Sequence, residues 1–420
     1  MSRQSYPKYR QSGVQWLGKV PDHWEMLRLK TIATLGYGDS LAADDRLPGT
    51  CPVYGSNGVV GEHDRANTKA PCLIVGRKGS FGKVAYSNIP CFAIDTTYFI
   101  DDRFTSNDLR WLYYSLQWLR LDSFSKDSAV PGLSREDAYN NVLPFCPIEE
   151  QRAIAAFLDR ETGRIDALVE KKQRQIELLQ EKRSALISHT VTKGLDPNAP
   201  TKDSGIEWLG EIPEHWPVVR LRFRARINPS RAEVNGLPVD TQVSFVPMEA
   251  VCEYGGLRLE QMKPLGDVST GYTYFCEGDV VVAKITPCFE NGKGSIGEGL
   301  ENGLGFGTTE LHVLRPLEDL DRRFLFYVTI SHTFRKIGEA YMYGAGGQKR
   351  VPDDFIRDFR HPIPAIDIQR SIAAFLDRET VRIDAMTKKI QDSIDMLREY
   401  RTALISAAVT GKIDVRKEVS

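Results

Sequence analysis

Two stretches of this chain occur twice, and a chain that repeats itself over such distances folds as two related units. Gly13-Val-Gln-Trp-Leu-Gly-Lys-Val-Pro-Asp-His-Trp24 returns as Gly205-Ile-Glu-Trp-Leu-Gly-Glu-Ile-Pro-Glu-His-Trp216. Gln151-Arg-Ala-Ile-Ala-Ala-Phe-Leu-Asp-Arg-Glu-Thr162 returns as Gln369-Arg-Ser-Ile-Ala-Ala-Phe-Leu-Asp-Arg-Glu-Thr380. The register shift is 192 residues at the first pair and 218 at the second, so 26 extra residues lie between the two motifs in the second copy. Each half is therefore a constant opening, a variable middle and a constant closing segment. At 420 residues the chain also exceeds what one hydrophobic core usually organises.

The closing segments predict long helices. Ile154, Leu158, Ile165, Leu168, Ile176, Leu179 and Leu186 recur mostly at three- and four-residue steps. Ile372, Leu376, Ile383, Met386, Ile390, Ile394, Leu397 and Leu404 keep the same register in the second copy. Each stripe runs through about 40 residues, roughly 60 Å of helix, and an isolated helix cannot bury it. The economical partner is the other copy, which predicts a paired coil, slightly irregular near Gly163.

The middles read differently. Val280-Val-Val-Ala283 and Leu73-Ile-Val75 are β-branched or apolar runs, and Asn57-Gly58 and Asn291-Gly292 are turn dipeptides. Short helices are predicted at 109–119 and 323–338. Faint echoes join the middles: Gly79–Lys83 with Gly294–Glu298, Phe92–Thr97 with Phe306–Thr309, and Leu112-Tyr-Tyr114 with Leu325-Phe-Tyr327. The fold class is α+β: two mixed, mostly β domains joined by two long antiparallel helices, an internal duplication with pseudo-twofold symmetry. The boundaries are 1–24, 25–146, 147–194, 195–216 (an exposed linker at 195–204, then the repeated opening), 217–363 and 364–420.

Catalytic signatures are missing. Gly292-x-Gly294-x-x-Gly297 spells the dinucleotide fingerprint, but Gly299, Gly303, Gly305 and Gly307 follow where that motif needs a helix, so a β loop is expected. There is no phosphate-binding Gly-x-x-x-x-Gly-Lys-Ser/Thr loop and no Asp/Asn-Pro-Pro-aromatic run of an amino-methyltransferase. The seven histidines lack metal-ligand spacing, and His23 and His215 sit at equivalent places beside Trp24 and Trp216, where packing is the simpler role. Seven scattered cysteines without a Cys-x-x-Cys pair suit reduced thiols in the cytoplasm. No apolar run reaches the roughly 20 residues of a membrane helix.

What the chain does carry is local cations. Arg220-Leu-Arg-Phe-Arg-Ala-Arg226, read as one strand, would put four guanidiniums on one face. Val75-Gly-Arg-Lys-Gly-Ser-Phe-Gly-Lys83 and Ala345-Gly-Gly-Gln-Lys-Arg350 place Lys, Arg, Ser and Gln on glycine-rich loops. Arginine forks onto guanine or phosphate, and glutamine pairs with adenine.

With both repeats in view, the chain resembles the DNA-specificity subunit of type I restriction–modification enzymes. The Trp-Leu-Gly-x-x-Pro-x-His-Trp openings, the tandem Gln-Arg-x-Ile-Ala-Ala-Phe-Leu-Asp-Arg-Glu-Thr closings and the long helices carry the likeness over nearly the whole chain. The resemblance implies a non-catalytic subunit in which each middle is a target-recognition domain reading one half of an asymmetric, bipartite site in double-stranded DNA. The helices would act as a ruler between half-sites and bind two modification subunits, through Arg152, Phe157, Arg160, Arg370, Phe375 and Arg378. S-adenosylmethionine, ATP and magnesium would belong to the modification and restriction subunits. Contacts to DNA are expected from Arg77, Lys78, Ser80 and Lys83 in the first domain, and from Lys284, Lys293, Gln348, Lys349 and Arg350 in the second. Ser128–Leu133 replaces the Gly-Gly-Gln segment there, so no glutamine contact is carried to the first domain. A coiled-coil adaptor without DNA specificity is the competing reading.

Net charge bears on the same question. The chain holds 55 basic and 56 acidic residues, and 217–363 alone holds 18 and 19. Bulk positive charge is therefore not the source of affinity, and the isolated chain is expected to bind DNA weakly.

Overall fold

The computed structural model describes residues 4–123, 132–344 and 347–418. The chain divides into two compact units, 1–173 with 391–420, and 174–390. Among the described residues, no helix is long and apolar enough to cross a membrane.

In the first unit a hairpin pairs Tyr9–Gln11 with Lys19–Pro21, and Trp24 follows it, fully buried. Glu25–Arg28 pairs with Val142–Phe145, so the two ends of the middle are clasped together and everything between is a closed insertion. Four antiparallel strands follow in the order Gly36–Tyr37, Thr97–Ile100, Cys72–Gly76, Val84–Ser87. Every residue of Cys72–Gly76 is buried, as its unbroken apolar run requires. A second sheet sets Cys51–Gly55 between Gly58–His63 and Phe92–Ala93, the latter pair parallel. The predicted helix spans Leu109–Leu119, started by the Asp108 carboxylate accepting from the Trp111 amide at 2.8 Å.

The second unit repeats this plan. Its hairpin pairs Thr201–Asp203 with Glu211–Pro213, so the last residues of the expected linker are a strand of the second copy. The Ser204 hydroxyl and amide reproduce the turn made by Ser12. Val218–Arg220 clasps Arg360–Pro362, and the four-stranded sheet runs Ala225–Ile227, Leu311–Pro316, Val280–Ala283, Gly294–Ile296. The second sheet runs Met262–Pro264, Gln242–Val246, Leu304–Gly307, Thr273–Cys276, and Thr273–Cys276 is a strand more than the first unit has. Gly292–Gly297 lies in and around a strand, followed by a single 3-10 turn at Glu301–Gly303 and not by the α-helix of a dinucleotide site.

Three expectations need correction here. The Arg220–Arg226 run is not one strand, because a 3-10 turn at Leu221–Phe223 interrupts it. Arg220 and Arg222 both reach Asp358, and Arg224 reaches Asp319, so three of these cations are spent on acids. The helix expected over 323–338 is two, Arg322–Ile330 and His332–Ala340, broken at Ser331, whose hydroxyl caps the second. Strand pairing also places Gly294 opposite Val282, as Val84 is opposite Val75. The likeness of Gly79 to Gly294 is therefore fortuitous.

The long helices span Ile148–Lys193 and Ile366–Val409. In the first unit Ile165 shares a core with Leu404 and Ile405, and Arg401 bonds Asp166 at 2.9 Å. In the second, Ile187 and Val191 share a core with Ile372 and Leu376, and Arg183 bonds Asp384 at 2.7 Å. The 218-residue shift turns Asp166 into Asp384 and Arg183 into Arg401, so one ion pair is made twice with the helices exchanged. Both local pairings run antiparallel. Leu168 and Met386 do not belong to the buried stripe; they are 43% and 39% exposed.

The closing motif owes its repetition to docking of the middle on its helix. Gln151, fully buried, accepts from the Asp108 amide at 3.0 Å and donates to the Cys146 carbonyl at 2.9 Å. Gln369 makes the same pair of bonds to the Asp321 amide and the Pro364 carbonyl, both at 2.8 Å. Tyr114 donates to Asp159 and meets Thr162, while Tyr327 donates to Asp377 and meets Thr380. Arg110 and Arg323 add ion pairs to the same two aspartates. Each Tyr hydroxyl is held in protonated form, its acidity pushed down by burial; Tyr114 titrates only at about 12.

Candidate nucleic-acid interface

The loops carrying the expected contacts leave the ends of the two central strands. In the first unit, Gly76 closes Cys72–Gly76 and the chain turns tightly through 77–83. Gly82 has φ +74°, and a Cβ there would lie 2.2 Å from the Asp122 amide, so only glycine fits. The Arg77 carbonyl accepts from the Leu133 amide at 2.8 Å, and Lys78 bridges Gly132. In the second unit the Lys284 carbonyl accepts from the Val351 amide at 2.8 Å, and Ile285 bridges Arg350. The two returning segments are thus equivalent in position although their sequences differ. Ser128–Pro131 of the first, and Ala345 and Gly346 of the second, lie outside the described residues.

Within this frame the predicted residues separate. Arg77 lays its guanidinium 5.0 Å from the centre of the Tyr37 ring, and Lys78 is exposed. Ser80 is half-buried, and Lys83 donates to the Asn57 side chain at 2.6 Å. Gln348 and Lys349 are exposed, with Lys284 half-buried next to them. Arg350 forks onto Glu310, two bonds of 2.8 Å, which holds the Glu310 carboxyl below the usual range. Lys293 is turned inward to the Met248 carbonyl at 3.1 Å. Arg350 is neutralised by its own unit and Lys293 is turned to a backbone carbonyl, as Arg77 is to that of Asp95 at 3.2 Å; Arg77, Lys78 and Lys349 have no acidic side-chain partner among the described residues.

On the helices, Arg152, Arg160, Arg370 and Arg378 are exposed, and Arg160 also donates to the Glu418 carbonyl. Phe375 is half-buried. Phe157 is fully buried in the first unit's core and presents no surface to a partner, because its helical position faces inward with Ile154 and Leu158. His23 bonds Glu150 at 2.6 Å, and Trp216 donates to the His215 ring at 3.1 Å, so both histidines orient the opening motif. Among the described residues, no group of three or more His, Cys, Asp and Glu side chains could hold a metal ion.

Side chains outside the loops complete this face, and linear reading missed them. Tyr98 pairs with Tyr37 across the sheet, and the exposed Arg135 also lies over the Tyr37 ring, 4.8 Å from its centre. In the second unit His312, Glu310 and Asp353 cluster at the matching strand end. Asp353 is held at about 2, chiefly by the His312 ring nitrogen 3.2 Å away. Tyr37 and Arg135 are far apart in sequence, so only strand pairing brings them together.

These features define a duplicated α+β fold on paired helices, each copy ending in a polar loop face. The chain belongs to the family described as the type I restriction modification DNA specificity domain, whose model matches residues 21–178 and 265–396. It is 38% identical over 197 residues, 46% of this chain and 33% of that protein, to the specificity subunit of the type I restriction enzyme EcoAI from Escherichia coli. In that alignment the chain spans about a third of the relative's length. It is 23% identical, over 95% of each chain, to the MjaVIII specificity subunit of Methanocaldococcus jannaschii. A solved chain described in work on complex assembly of the type I R-M system shares the fold, with a TM-score of 0.67 at 14% identity, covering 94% of this chain and 99% of that one.

Proposed function

We propose that this chain is the specificity subunit of a type I restriction–modification enzyme and does no bond-making chemistry itself. Each recognition domain reads one half of an asymmetric, bipartite target, and the long helices dock two modification subunits, with restriction subunits joining through the complex. S-adenosylmethionine, ATP and magnesium are then the business of those partners. The observation that carries this reading is the loop face made twice on one framework with different side chains. A fold that holds Arg77 and Lys284 at one backbone position but surrounds them differently is suited to two different half-sites. The balanced charge fits as well, since partners closing around the duplex would supply phosphate contacts.

Replacing residues 25–146 by the first domain of another family member tests the proposal. Methylation mapping of cellular DNA, with the partner subunits present, should show one half-site changed and the other retained. Two altered half-sites, or none, would sink the modular reading. An adaptor without DNA specificity would give no sequence-selective retardation of duplex DNA even with the methyltransferase subunit supplied.

A further inference from the structure

The duplication allows the two loop faces to be compared position by position, since strand pairing fixes the correspondence. Thr97 is opposite Gly76 in the first sheet and Leu311 opposite Ala283 in the second, which makes Tyr98 the counterpart of His312 and Thr96 of Glu310. Leu133 and Val351 correspond through their bonds to Arg77 and Lys284, which makes Arg135 the counterpart of Asp353. The backbone is preserved at these places while the chemistry is inverted: Arg135 and Thr96 on one face, Asp353 and Glu310 on the other.

The consequence is a different state of the cations. In the second unit Glu310 engages Arg350 and Asp353 engages His312. In the first unit Arg77 and Arg135 have no carboxylate partner among the described residues, and both lie over the Tyr37 ring, at 5.0 and 4.8 Å from its centre. Tyr37 is 46% exposed and backed by Tyr98 at 5.2 Å. Arg77 already donates to the Asp95 carbonyl at 3.2 Å, which leaves Arg135 as the one of the two whose in-plane N–H fork is open, and a stacked guanidinium loses little rotamer freedom when it binds. Guanine, through O6 and N7, is the base edge that matches such a fork in the major groove.

Resting on the recognition reading above, we infer that the Arg77–Tyr37–Arg135 stack is the specificity-determining element of the first domain and reads a guanine in its half-site through Arg135. Tyr37 is a positioning residue that holds the two guanidiniums. At the matching strand end of the second domain the described residues hold no arginine over a ring; the Arg183 and Arg335 guanidiniums flank Tyr254 elsewhere in that unit, and Gln348 and Lys349 are exposed at the loop.

The experiment is base-resolution methylation mapping in cells carrying the full chain with its partner subunits, comparing wild type, Arg135→Ala, Arg135→Lys and Tyr37→Phe. The first half-site is the one that changes on exchange of 25–146. Arg135→Ala should reduce selection for guanine at one position of that half-site about tenfold or more, leaving the second half-site unchanged. Arg135→Lys should fail to restore it, because an ammonium lacks the fork, while Tyr37→Phe keeps the stack and the preference. Uniformly reduced methylation with the target unchanged, restored by Lys, would mean a phosphate contact and overturn the assignment. So would a profile indistinguishable from wild type. If the wild-type complex marks no bipartite sequence, the recognition reading itself falls and takes this inference with it.

Discussion

Tyr98 and His312 occupy one position of the duplicated sheet and perform one task with different atoms. The Tyr98 hydroxyl donates to the Leu133 carbonyl at 3.1 Å, and the His312 Nε2–H donates to the Val351 carbonyl at 2.9 Å. Each bond ties the returning segment to the central strand, and each carbonyl is otherwise turned into a buried environment. Tyr98→Phe should therefore cost the first unit about 1 kcal/mol, the usual worth of a neutral hydrogen bond, measurable by urea unfolding. No loss would show that the backbone pairing of Arg77 with Leu133 suffices alone.

Gln151→Ala and Gln369→Ala each strand a backbone amide and a carbonyl where the middle meets its helix. We expect about 2–3 kcal/mol lost in the unit carrying the change. Thermal unfolding should then drop by several degrees, at about 2–4 °C per kcal/mol for units of this size. The two substitutions should be closely additive, having no shared partners. A strongly non-additive pair would contradict two independent docking sites.

Glu310→Gln removes the carboxylate that engages Arg350. Duplex binding by the assembled complex should strengthen non-specifically, with the salt dependence steeper by about one charge. Arg350→Ala alone should change affinity little, whereas Lys349→Ala should weaken it. Equal losses from Arg350→Ala and Lys349→Ala would show that DNA competes Arg350 away from Glu310.

The second unit should be acid-sensitive through His361. This ring is completely buried, donates to the Val191 carbonyl at 3.1 Å, and burial pushes its titration down to about 3. An unfolded histidine takes its proton near pH 6.5. Between those values the unfolded state binds more protons, so this contribution is intact above pH 6.5 and is lost as pH falls, by up to about 1.4 kcal/mol per pH unit. Unfolding measured from pH 7 to pH 5 should show that slope, and His361→Leu should flatten it. An unchanged slope in the variant would place the acid sensitivity elsewhere.

Much of this architecture was legible in residue order. A repeated motif needs no structure to be seen, and the helices at Ile148–Lys193 and Ile366–Val409 follow from apolar spacing because a helix is a local object. The aromatic-rich helix expected at 109–119 spans Leu109–Leu119, and in the structure Asp108 caps it. Where reading along the chain failed, the missing information was non-local. Arg220–Arg226 alternates like a strand, but pairing of Val218–Arg220 with Arg360–Pro362 and of Ala225–Ile227 with Leu311–Pro316 breaks it in two. Leu168 belongs to the apolar stripe read from spacing yet stays exposed, and spacing along one helix does not say which of its positions are covered.

By itself the sequence determined that the protein is a duplication on paired helices, that it belongs among DNA-specificity chains, and that its cations lie in local loops. Periodicity and repetition are written in order along the chain, so order suffices to read them. Tertiary structure alone decided which cations are available. Arg350 and Arg77 look alike in sequence, but one is neutralised by the Glu310 carboxylate, forty residues away, and the other stacks on Tyr37 and donates to the Asp95 backbone carbonyl. A charge is neutralised or released by what lies within a few ångströms of it, and strand pairing sets that neighbourhood.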